Sequence, residues 1–327
     1  LLPHRVLASY APDRNSPSLS RLALDLLAQQ QASWPQLHQG YRALASVQTR
    51  ALNNPAYTVR LQYNPARVVS SGAKVDPHSI QARPCFLCVE NLPAPQQGIL
   101  YRQEFLLLCN PVPIFAQHYT ISHLQHQPQA LAGHVETLLQ LAHDFSPHFT
   151  VFYNGPRCGA SAPDHLHFQA CPRKVIPVET QLHDPSRRLL VRSLMGVTLH
   201  KLQALDREVL LLTGFEAPAL ATVWRRLLAA MDAVMPGDHE PMLNAICFYE
   251  DELYHVLLFP RRKHRPEVFF REGEDRILIS PAAVDMGGLI VTPLEKNFRQ
   301  VEGPLVAEIY REVSVDPDIT DQILARL

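Results

Sequence analysis

No run of about 18 apolar residues occurs in this 327-residue chain, so nothing in it has the length and uniform apolarity of a membrane-spanning helix. The opening stretch, LLPHRVLASYAPDR, also lacks a long apolar segment followed by a cleavage site, and the expectation is a soluble, cytoplasmic protein. Charge asymmetry is missing as well: 30 Lys and Arg against 31 Asp and Glu leave a net charge of -1, which gives no general basic surface for nucleic acid. An anionic partner would have to meet local positive charge. Cysteine is sparse. Of Cys85, Cys88, Cys109, Cys158, Cys171 and Cys247, only the first two are tightly spaced, so no disulfide framework is indicated. What the chain does have is 46% hydrophobic and 19% charged residues, enough to bury a substantial core as one large domain or two medium ones.

The residue pattern predicts an N-terminal helix over residues 15–31, NSPSLSRLALDLLAQQQ, where cap-type residues precede helical apolar spacing. AYTVRLQYN then alternates as a strand. From residue 105 an order of elements recurs. Strand 105–110, helix 128–145, strand 149–155 and strand 165–171 are followed in the second half by strand 208–215, helix 217–235, strand 244–250 and strand 254–260. Both closing strands run into Pro-Arg. Setting Pro172-Arg173 over Pro260-Arg261 puts His167 over His255, and Leu253 and Leu257 over His165 and Gln169. The expectation is a duplicated unit whose polar chemistry survives only in the first copy. Residues 174–188, with prolines, charges and little periodicity, read as a linker.

The polar stretch RCGASAPDHLHFQACP carries the chemistry. In an extended strand His165, His167 and Gln169 share one face and Leu166, Phe168 and Ala170 the other, which suits the floor of a site. Gly159, Ala160 and Ser161 precede it in a small-residue loop whose backbone can approach an anion closely. Cys85-Phe86-Leu87-Cys88 is a C-x-x-C flanked by prolines, which disfavours the strand-then-helix setting of a thioredoxin-like redox pair and favours metal. Zinc needs about four S or N ligands, and two cysteines supply half. His118 and His165 are candidates for the remainder, as are His123, His126 and His134 among the 16 histidines. The densest basic run, PRRKHRPE, offers Arg261, Lys263 and Arg265 to phosphates, or is a solvated turn after a strand.

CFLC, the histidine of AQHYTIS and GASAPDHLHFQ together resemble the histidine-triad superfamily in its transferase branch, which holds galactose-1-phosphate uridylyltransferase, diadenosine tetraphosphate phosphorylase (ATP adenylyltransferase) and the GDP-hexose phosphorylases. The motif-level likeness covers about residues 80–180. Asp164 and Leu166 stand where the uridylyltransferases have proline, a departure that weakens that specific assignment.

The resemblance implies an α+β fold of two histidine-triad-like halves, residues 1–190 and 191–327, each an antiparallel sheet with helices packed against it. It implies a structural zinc on Cys85, Cys88, His118 and His165. It further implies a nucleotidyltransferase of phosphorylase type, in which His167 forms a covalent nucleotidyl-histidine, Gln169 donates to a phosphate oxygen and Asn154 contacts the nucleotide or loop. The substrates would be a nucleoside diphosphate sugar or dinucleoside polyphosphate, with inorganic phosphate or a sugar phosphate as acceptor. Two other readings are a histidine-triad-type hydrolase, for which Gln169 in place of a third histidine is unsuited, and a zinc-stabilised nucleotide-binding module without turnover. Oligomeric state is open, since a duplicated chain could complete its site alone whereas uridylyltransferases do so across a dimer.

Overall fold

A computed structural model describes residues 2–12, 17–54, 56–68, 72, 75–237 and 240–327. Among these, eleven strands form one mixed sheet. In spatial order they are Val6–Tyr10, Gly98–Tyr101, Phe105–Cys109, Tyr119–His123, His167–Pro172, Phe149–Asn154, Leu243–Glu250, Leu253–Pro260, Val209–Gly214, Val197–Leu202 and Arg188–Leu194. All neighbouring pairs are antiparallel except the first, in which Val6–Tyr10 runs parallel to Gly98–Tyr101. The sheet expected within each half is therefore one continuous sheet, closed across the middle by Phe149–Asn154 against Leu243–Glu250, with Asn154 opposite Asn244. A separate three-stranded sheet joins Gln48–Leu52, Val59–Tyr63 and Leu289–Thr292.

The long central strands are apolar on both faces because both faces are covered. Phe105–Cys109 is buried at every position. On one face lie the helices Leu19–Ser33, Val135–Asp144 and Ala217–Val234. The last of these buries Leu220, Trp224, Leu227, Leu228 and Met231, a spacing of three and four that puts them in one stripe. Each such side chain contributes about 1.5–3 kcal/mol of burial. The other face packs on the small sheet and on apolar residues between Val268 and Val313. Phe168 and Ala170 belong to the helix side, while Cys171 belongs to the opposite core, so the alternation expected of the histidine strand holds.

Most expected elements lie within a residue or two of their observed ends. Ala217–Val234, Leu243–Glu250 and Leu253–Pro260 are examples. The N-terminal helix starts later than expected, at Leu19, with the Ser18 hydroxyl accepting from Arg21 N–H at 3.2 Å; Asn15 and Ser16 lie outside the described residues. The helix expected from 128 is α-helical only over Val135–Asp144. The reason is Gln129, whose fully buried side chain is needed between two strands, as described below, and pulls residues 128–131 out of a helical path. The segment read as a linker is not solvated throughout. Ile176, Val178, Glu179 and Leu182 are buried, and the Glu179 carboxylate meets Arg173 at 2.8 Å and accepts from the Thr150 hydroxyl at 2.7 Å.

Candidate active site and metal cluster

A cleft of 300 Å³ opens on the face of the sheet away from the long helices. Its lining includes His118, Asn154, Gly159, Ala160, Ser161, His167, Gln169 and Arg265. His167 is the first residue of its strand, and its Nδ1 lies 2.8 Å from the His165 carbonyl oxygen. A carbonyl only accepts, so Nδ1 carries the proton and Nε2 keeps the lone pair. Burial pushes the His167 pKa down to about 4, against the His165 carbonyl bond, which favours the charged form. The imidazole is therefore neutral near pH 7, with its nucleophilic nitrogen the one not tied to the backbone.

Gln169 sits one strand step further on the same face. Its Oε1 is 2.9 Å from His118 Nε2, and His118 Nδ1 accepts from the Ile114 N–H at 3.3 Å. The His118 ring contacts Phe115 and Phe152 at centroid separations of 5.7 and 6.3 Å. Burial and then the nearby Arg67 cation hold the His118 pKa down, at about 3, while the Gln169 contact acts the other way.

Asn154 is oriented by a second network. Its Oδ1 accepts from Asn244 Nδ2 at 3.0 Å and from the Ala283 N–H at 2.7 Å, so its own amide nitrogen remains as a donor. Asn244 is set in turn by Arg261, which donates to its Oδ1 at 2.6 Å. Where the His167 and Asn154 strands part, Gln129 substitutes for the missing ladder. Its Oε1 accepts from the His167 N–H at 2.8 Å, and its Nε2 donates to the Asn154 and His167 carbonyls at 2.8 and 3.0 Å. Gln129 was not singled out in the sequence, since a lone glutamine before a helical pattern has no spacing that marks it. The loop holds Gly159 at φ +95°, where a Cβ would stand 2.6 Å from Ala282 Cβ. A close approach of two loops requires glycine there.

The expected metal set is corrected at one position. Cys85, Cys88, His126 and His165 offer ligand atoms that all lie within 4.8 Å of one another and could hold a metal ion. His126, not His118, is the fourth member, because both ring nitrogens of His118 are engaged at Ile114 and Gln169. Cys85 Sγ and Cys88 Sγ stand 3.3 and 3.6 Å from His165 Nδ1, and Cys88 Sγ is 3.3 Å from His126 Nδ1. His165 Nε2 lies 2.7 Å from the His123 carbonyl, which only accepts, so Nε2 carries the proton and Nδ1 is left as a ligand for a metal. His165 precedes the strand and His167 opens it, so the two histidines serve different places.

The basic run divides. Arg261 is fully buried and donates to the carbonyls of Val313, Pro281, Lys263 and His264 as well as to Asn244. All five of its N–H groups are committed, so it is a clasp and not the phosphate contact expected. Lys263 is paired with Glu267 and Glu312 at 2.9 and 2.8 Å, away from the cleft. Arg265 does line the cleft, with Nε donating to the Ser280 hydroxyl at 3.0 Å and its guanidinium 4.2 Å from the Phe269 ring centroid. A second arginine, Arg67, lines it too, anchored to the Val112 carbonyl at 2.8 Å. Its place in NPARVV carried no motif.

Residues 26–172 match the model of a domain of unknown function, DUF4922. Comparison with curated proteins finds no match. Among solved structures, yeast Ap4A phosphorylase Apa2 in complex with AMP is similar at a TM-score of 0.57 and 16% identity, over 88% of this chain and 96% of that chain. The same phosphorylase in complex with Ap4A gives 0.53 and 15%, over 86% and 97%. A uridylyltransferase mutant gives 0.41 and 13%, over 74% and 93%. The chain thus adopts the fold of the Ap4A phosphorylase.

Proposed function

We propose that this chain is a nucleotidyltransferase of phosphorylase type acting on a nucleoside diphosphate sugar or a dinucleoside polyphosphate. The observation that carries the reading is the tautomer of His167. With Nδ1–H held by the His165 carbonyl, Nε2 offers its lone pair in a cleft shared with Gln169, Asn154 and the loop of Gly159, Ala160 and Ser161. Attack of Nε2 on the α-phosphorus forms a P–N bond as the P–O bond to the leaving group breaks, and the leaving sugar phosphate or nucleoside polyphosphate takes the displaced electron pair. The imidazolium of that intermediate keeps its Nδ1 proton against the carbonyl, which stabilises the positive charge. Inorganic phosphate or a sugar phosphate then attacks the same phosphorus, the P–N bond breaks and His167 is restored. The Gln169 amide donates to a non-bridging oxygen without a titrating proton, and Arg265 and Arg67 supply positive charge at the cleft. The fold of the Ap4A phosphorylase supports a nucleotide substrate, since that protein was solved with AMP and with Ap4A.

The metal is read as zinc. Tetrahedral zinc with Zn–S of about 2.3 Å and Zn–N of about 2.05 Å implies S···N edges near 3.6 Å, and the edges here are 3.3 to 3.6 Å. Four protein ligands leave no open position for water, so the ion would be structural, tying the Cys85 segment to the residue that orients His167. The second-half strand Leu253–Pro260, with His255 stacked on Phe248 at 4.7 Å, is read as the degenerate copy of the histidine strand.

The test is incubation with α-phosphate-labelled nucleoside diphosphate sugars and diadenosine polyphosphates, with and without phosphate. Expected are phosphate-dependent product and an acid-labile labelled protein that His167→Ala does not form. Turnover that needs no phosphate and survives His167→Ala would sink the mechanism.

A further inference from the structure

We propose that His118 is a positioning residue that fixes which end of the Gln169 amide faces the cleft; the claim rests on the function proposed above for its catalytic meaning. A side-chain amide is nearly symmetric in shape, and its oxygen and nitrogen exchange by rotation about one bond. For Gln169 the two orientations have opposite consequences. With NH2 toward the cleft it donates to a phosphate oxygen, and with Oε1 toward the cleft it repels that oxygen.

The choice is made by a chain of obligatory roles. The Ile114 backbone N–H can only donate, and it points at His118 Nδ1. A neutral imidazole that accepts at Nδ1 carries its proton at Nε2. Nε2–H then requires an acceptor, and the atom 2.9 Å away is Gln169 Oε1. The carbonyl end of the amide is thereby bound to His118, and the NH2 end is left for the cleft. The frame of the relay is rigid. The His118 carbonyl accepts from the Tyr41 hydroxyl at 3.0 Å, and its ring is held edge-on by Phe115. Burial keeps the imidazole neutral, so the relay does not reverse within the working pH range.

Two measurements test the relay separately from the reaction. In protein with nitrogen-15-labelled histidine, His118 should show the Nε2–H tautomer, unchanged from about pH 5 to 8. A Nδ1–H tautomer, or a charged ring, overturns the proposal whether or not the protein has activity. In the nucleotidyl-transfer assay, His118→Phe should cut kcat by about 10–100-fold with KM changed by less than about threefold. His118→Gln, which keeps one acceptor and one donor, should recover most of that loss. In a Gln169→Ala background, His118→Phe should cost nothing further, because its effect runs through the missing amide. Additive losses would overturn the relay. A wild-type protein that turns over no nucleotide removes the proposed function alone, and the tautomer then decides the relay.

Discussion

Arg261→Lys keeps a cation at the end of the Leu253–Pro260 strand but offers three N–H donors where the guanidinium offers five. The five acceptors around it are the carbonyls of Val313, Pro281, Lys263 and His264 and the Asn244 Oδ1, at 2.6 to 3.2 Å. At least two of them lose their partner in a place with no water access, since Arg261 is fully buried. A buried polar group left without a hydrogen bond costs about 1–3 kcal/mol, so the expected loss is about 2–6 kcal/mol. The free energy of unfolding in urea reads it, with an unchanged slope marking a native-state effect. Activity in native buffer should fall as well. Without Arg261 on its Oδ1, Asn244 is held only by its Nδ2 bonds to Asn154 and the Cys158 carbonyl, and its loosening weakens one of the two donors that fix the Asn154 amide. Lys263→Ala is the matched control, two positions away on one exposed and one partly buried ion pair, and its unfolding midpoint should lie close to the parent's. A lysine variant within about 0.5 kcal/mol of the parent would refute the clasp, because no rearrangement of three donors satisfies five fixed acceptors.

Three other changes probe separate parts of the molecule. Burial raises Glu240 from its ordinary 4.5 to about 7, despite bonds from the Tyr153 hydroxyl at 2.5 Å and the Leu131 N–H at 2.8 Å. A carboxyl raised in the folded state stabilises fully below its unfolded pKa and loses that contribution as pH rises through the folded value, here about 3 kcal/mol between pH 4.5 and above pH 7. Glu240→Gln should flatten that slope and exceed the parent in stability at alkaline pH; an identical pH profile would count against the buried carboxylate. Cys88→Ser and His126→Ala should each leave less than about half an equivalent of metal by elemental analysis, whereas His118→Phe should retain a full equivalent. Full occupancy in His126→Ala would return the fourth ligand to another residue. Gly159→Ala forces a left-handed backbone and a contact at 2.6 Å with Ala282, and should cost roughly 1–3 kcal/mol and depress turnover. Parent-like turnover would mean the two loops separate freely.

Much of the fold was legible because local pattern and burial agree. The helix at Ala217–Val234 shows its stripe directly in the sequence, and the alternation of Leu166, His167, Phe168 and Gln169 gives their faces before any coordinates. The fourth metal ligand was not legible. His118 and His126 are both polar residues in loops flanking the Tyr119–His123 strand, and only the folded chain turns one toward the cysteines and the other toward Gln169. The burial of Arg261 is not legible for a related reason. A run of basic residues suggests solvent or phosphate, and its burial depends on carbonyls from residues 281 and 313, far along the chain. Gln129 and Arg67 gave no signal at all, because a single residue that fills a gap between strands has no period.

The strand Phe149–Asn154 meets Leu243–Glu250 across the middle of the sheet, and that junction orders events during synthesis. When a ribosome has released the histidine strand, the neighbour that must cover the far edge of Phe149–Asn154 is still about 70 residues from being made. Until then an apolar, unpaired edge faces solvent or a chaperone. The Asn154 amide waits longer, since its second donor is the N–H of Ala283. A fragment ending near residue 190 would hold every residue of the histidine motif, yet it would present an aggregation-prone border where the whole chain has a finished wall.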